Sequence, residues 1–173
     1  MNEISRDSFG TIERTLGRAV VAALVAAAVT INVTAAYAGE CPADKRVMDG
    51  QGQKPGPAMP KDVTDVVRAS TDLAKEPLAQ NGRLFRLRQL DMKPGGIVPW
   101  HSHGNRPAMI YIVSGEVVEY ASNCAVPITH KAGDVAPEKN GTSHWWQNTG
   151  STTAVLISVD LFPTDNMKDE HMM

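Results

Sequence analysis

An all-β domain, a small sandwich or barrel, is the fold class this sequence predicts. Three observations carry that expectation. From Gly82 onward, short apolar runs alternate with turn residues about every ten positions. Turn signals stand at Ser114-Gly115, Lys131-Ala132-Gly133-Asp134, Asn140-Gly141 and Asn148-Thr149-Gly150-Ser151. No long helical periodicity occurs between residues 82 and 162.

Each element follows from its own residues. Arg83–Met92 mixes Leu and Phe with three Arg, as a partly exposed strand does. Met109–Val113 is a continuous apolar run and reads as a strand buried on both faces. Glu116–Tyr120 follows the Ser114-Gly115 turn as a further short strand, and Thr152–Leu161 reads as a core strand. Val63–Ala69 is a short Val-rich segment in which helix and strand are hard to separate. Before it, Gly50–Lys61 is rich in Gly, Pro and Gln and reads as a loop or linker.

The first 38 residues have a different character. Arg6, Arg14 and Arg18 precede a run from Ala19 to Ala38 without a charged residue, which ends in Ala36-Tyr37-Ala38. That is the pattern of an export signal with a small-x-small cleavage site. Thr30, Asn32 and Thr34 dilute its apolar end, which favours cleavage over a retained anchor. The expected organisation is therefore a signal over 1–38, an N-terminal arm over 39–79, a β-barrel over 80–163 and a tail over 164–173. The mature chain would be exported, to a periplasm if bacterial or else secreted, with no stable membrane span. Cys41 and Cys124 both lie in that exported part, where oxidation is permitted, and either pair or stand as separate thiols.

Composition narrows the function. There are 17 Lys+Arg against 19 Asp+Glu, a formal net charge of −2, so no basic surplus exists for phosphate contacts. Nucleic acid is not an expected partner. Two cysteines are too few for a four-thiolate zinc site.

The chemistry concentrates at histidines. In an extended strand, His101 and His103 face the same side, so both imidazoles can meet one ion. His144 follows the Asn140-Gly141 turn and can approach from another strand. Three imidazoles leave open coordination positions, as catalytic metal sites do.

The residues around these histidines resemble the two motifs of the cupin superfamily. Gly95, His101, His103 and Gly115 stand at the spacings of the first motif. Gly133, Gly141, His144 and Asn148 stand at those of the second. Two positions depart from the pattern. The first-motif glutamate falls on Ala108, or on Pro107 at the shorter spacing, and the second-motif proline is Lys139. The resemblance implies a small jelly-roll barrel, preceded here by the arm, with a divalent metal held inside by three histidines and no glutamate. Fe(II) is the favoured ion, with Mn, Ni, Cu and Zn as alternatives. A carboxylate-free site keeps the full charge of the ion and should favour an anionic or enolate ligand.

Around that centre, Trp146, Arg106 and Ala108 are the candidate pocket residues. Trp146 shares the parity of His144 and offers apolar wall, with barrel core as its other reading. Arg106 and Lys139 are cations near the barrel mouth. Glu116 and Glu119 are the candidate stand-ins for the absent ligand, although their place after Gly115 argues against it. His130 has no partner pattern and reads as an exposed strand residue, while Asn148 reads as a brace for its turn.

The implied function is a dioxygenase-type oxidoreductase acting on a small anionic or enolisable molecule. A non-catalytic small-molecule or metal-binding cupin is the alternative, and a carbohydrate isomerase a third. A homodimer is implied by the resemblance alone.

Overall fold

The computed structural model describes residues 39–165, so the segment read as an export signal lies outside the described residues. Eight strands run β1 Lys61–Asp72, β2 Arg83–Ser102, β3 Ala108–Ser114, β4 Glu116–Ala121, β5 Ile128–Lys131, β6 Val135–Glu138, β7 Ser143–Gln147 and β8 Ala154–Pro163. They form one antiparallel sheet in the order β5-β4-β7-β2-β8-β3-β6, with β1 added beside β2. The result is a jelly-roll barrel. No helix among the described residues is long and apolar enough to cross a membrane.

The long strand β2 joins the two halves of the barrel. Its first half pairs with β8 from Arg83↔Pro163 to Met92↔Ala154. Its last residues pair with β7, including His101↔His144. Pro94-Gly95-Gly96, a break by composition, is the bend at which β2 changes partners. Gly95 adopts φ 75° there, a conformation that favours glycine. Asn148 then locks the bend, because its Nδ2 donates to the Met92 and Thr152 carbonyls, at 2.8 Å each.

Alternation builds the core. Leu90, Met92, Val98, Ile110, Ile112, Val117, Trp146 and Leu156 point inward and pack together. The expectation that Met109–Val113 is buried on both faces is corrected. Only the even positions of β3 face the core, and Met109 is 63% exposed, with Tyr111 and Val113 also outward. An antiparallel sheet can leave one face to solvent, and this one does.

Asn140-Gly141 is a turn, as expected, but it does not join two paired strands. Both residues have positive φ, 59° and 76°, but β6 pairs with β3 whereas β7 pairs with β2 and β4. The turn carries the chain from one half of the barrel to the other. Ahead of the barrel, β1 makes a long ladder with β2. Cys41 and Cys124 are joined by a disulfide with a Cα–Cα distance of 5.8 Å.

Candidate metal centre

Four side chains converge inside the barrel: His101, His103, His144 and Glu138, with ligand atoms all within 4.8 Å of one another. Sequence and register explain each. His101 sits near the end of β2, directly opposite His144 on β7, so their side chains share a face. His103 follows β2 and is held by its backbone N–H, which donates to the Thr142 carbonyl at 3.0 Å. Glu138 closes β6, paired with Ala108 on β3.

That pairing adds a carboxylate to the three histidines, one that their spacing did not point to. Ala108 does occupy the first-motif position and is buried. Glu138 stands across the ladder from it and brings a carboxylate into the same layer. Its Oε2 is 2.9 Å from His103 Nε2, and its Oε1 is 3.2 Å from His144 Nε2. Neither Glu116 nor Glu119 belongs to the cluster. Glu116 pairs with Lys131 at 3.5 Å, away from the histidines.

The other ring nitrogens are committed. His101 Nδ1 donates to the Pro99 carbonyl at 2.8 Å, and His103 Nδ1 to the Arg106 carbonyl at 2.6 Å. His144 Nδ1 donates to Glu119 Oε1 at 2.6 Å. A carbonyl or an ionised carboxylate can only accept, so all three Nδ1 atoms carry hydrogens. Each Nε2 therefore turns toward the centre, as in metal sites whose histidines are oriented by outer carbonyls and carboxylates. His101 Nε2 and His103 Nε2 stand only 2.9 Å apart. His144 Nε2 is buried without an aligned hydrogen bond. Three converging Nε2 atoms and an ionised carboxylate, once the protons between them are displaced, are a donor set that fits a divalent cation.

Electrostatics agree with this arrangement. Burial holds the Glu138 carboxyl back, yet the His144 charge and the His103 hydrogen bond keep it well below the ordinary range. Burial likewise opposes ionisation of Glu119, but hydrogen bonds from His130 and His144 hold it at about 2. Burial also disfavours a charge on His144, and Glu138 and Glu119 together raise it to about 10. His101 falls to about 3, through burial and then the neighbouring His144 charge. Without metal, then, the cluster keeps a proton on His144 at pH 7. A cation taking Nε2 must displace it, so apparent metal affinity should rise with pH and fall on acidification. Calorimetry at pH 7 in buffers of different ionisation enthalpy should show net proton release as the ion binds.

The remaining candidates are placed differently from expectation. Arg106 is not a cation at the mouth. It is 6% exposed, and its Nη1 lies 3.9 Å from Asp160 Oδ2. Asp160 also takes a two-pronged contact from Arg86, at 3.0 and 2.7 Å, so Arg106 belongs to a buried charged layer. Its useful atom is the carbonyl that orients His103. Trp146 does face the interior, but as core: it lies edge-on to His144 and stacks on His130 at 4.6 Å.

His130 is fully buried rather than exposed, because its Nε2 meets Glu119 Oε2 at 2.9 Å. A His130–Glu119–His144 chain thus backs the cluster. Alternation inward from Val117 offered a sequence signal for Glu119. Glu138 had a weaker one, its shared parity with Ala136.

One cavity, of about 290 Å³, reaches the cluster. His103, Glu138, His144 and Glu119 form its inner end, and Arg46 and Lys139 line it too. Trp146, Arg106 and Ala108 do not.

Known proteins share the barrel segment with this chain. The family model described as Cupin domain matches residues 88–160. The Oxalate-binding protein of Thermotoga maritima is 37% identical over 87 residues, covering 50% of this chain and 69% of that protein. Auxin-binding protein ABP19b of Prunus persica is 31% identical over 80 residues, covering 44% of this chain and 38% of that protein. A crystal structure of a predicted oxalate decarboxylase from Thermotoga maritima aligns with a TM-score of 0.49 at 22% identity, covering 71% of this chain and 98% of that one. The matched stretch runs from β2 to β8 and contains both histidine motifs, and this chain belongs to the cupin family.

Proposed function

We propose that His101, His103, His144 and Glu138 hold a divalent metal ion, and that the protein uses it to bind a small carboxylate anion. The observation that carries this reading is the convergence of three Nε2 atoms on one carboxylate, with every Nδ1 already hydrogen-bonded. Imidazole and carboxylate suit Fe(II), Mn, Ni, Cu and Zn, so the donor set favours none of them outright. A bound ion supplies net positive charge and open coordination positions to a chelating anion. With Glu138 ionised, the formal charge of the loaded centre is +1, which still attracts an anion. The cavity is sized for a ligand of few heavy atoms. The name of the Thermotoga relative supports the same ligand class.

Binding without turnover is the better-supported form of this reading. Glu119 and Glu138, the carboxylates at the inner end of the cavity, are both ionised and tied to histidines. Neither is poised to move a proton at neutral pH. Dioxygenase-type oxidation of the bound anion is the second reading, favoured by the direct access the cavity gives to His103 and His144.

The disulfide supports an exported, oxidising location, in line with a cleaved signal over 1–38. The outward apolar side chains Phe85, Leu87, Met109 and Tyr111 support a homodimer. Titration of metal-loaded protein with oxalate, beside oxygen-electrode assays, tests the function. Saturable, metal-dependent binding without oxygen uptake is expected. Oxygen consumption would move the assignment to the oxidoreductase, and absence of carboxylate binding would overturn both.

A further inference from the structure

The cavity is not walled by the barrel motifs alone. Gly39, Glu40, Cys41, Arg46 and Val47 form part of its wall, and all five precede the stretch matched by the family. This segment is fastened where it crosses the barrel. Arg46 bridges Cys124, the Val47 N–H donates to the Asn123 carbonyl at 3.0 Å, and the Ala125 N–H donates to the Lys45 carbonyl at 2.9 Å. The Cys41–Cys124 disulfide closes the same contact covalently. The backbone of Arg46 is therefore fixed while its side chain lines the pocket.

The guanidinium already holds a carboxylate, one from its own chain. Its Nη2 lies 2.9 Å from Glu40 Oε2, and its Nε donates to the Cys41 carbonyl at 3.3 Å. The Arg46 side chain is 60% exposed and that of Glu40 37%, so water screens the pair and the contact is exchangeable. An arginine fork matches a carboxylate at two points, which a lysine cannot do.

We propose that Arg46 is a specificity-determining residue: it exchanges Glu40 for one carboxylate of a dicarboxylate ligand whose other carboxylate faces the histidine cluster. This rests on the reading of the cluster as a carboxylate-binding metal centre. A monocarboxylate engaged at the cluster has nothing left to offer Arg46, whereas a dicarboxylate gains a second charge-assisted contact. The arm thereby adds selectivity that the barrel motifs lack.

The test is calorimetric titration of metal-loaded protein with malonate, succinate and acetate. The wild type should bind the better-fitting dicarboxylate about ten-fold more tightly than acetate, the worth of one charge-assisted contact. Arg46→Gln should lose that preference with metal content unchanged, and Arg46→Lys should keep only part of it. Glu40→Gln, which removes the competing carboxylate, should tighten dicarboxylate binding. A full preference in Arg46→Gln, or no preference in the wild type, overturns the assignment of Arg46. If acetate and both dicarboxylates all fail to bind, the carboxylate-site reading itself falls.

Discussion

Replacing His144 with alanine should weaken divalent-metal binding by more than about 100-fold, and His101→Ala and His103→Ala should do the same. Each removes one of three imidazoles whose Nε2 atoms converge. Two imidazoles and a carboxylate remain, a set that can still bind a divalent ion but with one of its four donors lost. Glu119→Gln should be milder, weakening metal binding about 10–100-fold, because Glu119 orients His144 without touching the centre. Equilibrium dialysis against Mn²⁺ followed by elemental analysis measures both effects. Urea unfolding of each variant must accompany it, since removing a buried imidazole leaves Glu138 or Glu119 without its partner. Folded His144→Ala protein with wild-type metal affinity would show that the ion sits elsewhere.

The second large effect concerns stability. Cys41 and Cys124 are 83 residues apart, so their bond removes a long loop from the unfolded ensemble. In the chain-entropy model that contributes about 4 kcal/mol, and Cys41→Ala/Cys124→Ala should lose most of it. The segment after the bond should stay docked, because Gly52 and Gln53 donate to the Ser122 and Ala121 carbonyls, at 2.7 and 3.0 Å. Urea unfolding monitored by tryptophan fluorescence reads the loss directly. A variant with the wild-type midpoint would mean that those hydrogen bonds alone hold the arm.

The barrel was legible because its signals are local. Turn residues and short apolar runs mark β3, β4 and β8 to within about two residues, and the histidine spacing identified three members of the cluster. What sequence could not supply was register. Glu138 enters the site only because β6 lies beside β3 and sets it opposite Ala108. Nothing in the spacing of residues 108 and 138 encodes that pairing.

Arg106 was misread for a related reason. A charged residue in a loop suggests solvent, yet Arg86 and Asp160 from two other strands form a buried layer that receives it. His130 lacked a visible partner because Glu119 lies on the neighbouring strand, with Val117↔His130 as the local register. Burial on one face only, as in β3, is likewise set by what packs outside the sheet. The apolar run of Met109–Val113 carries no record of it.

The central claim is that one divalent ion is held by three histidines and a glutamate from the partner strand. Anomalous diffraction from crystals grown with Mn²⁺ tests it most directly. The account predicts one strong peak per chain within bonding distance of His101 Nε2, His103 Nε2, His144 Nε2 and a Glu138 carboxylate oxygen. A peak bonded to the three histidines but not to Glu138, or no peak inside the barrel, would contradict it.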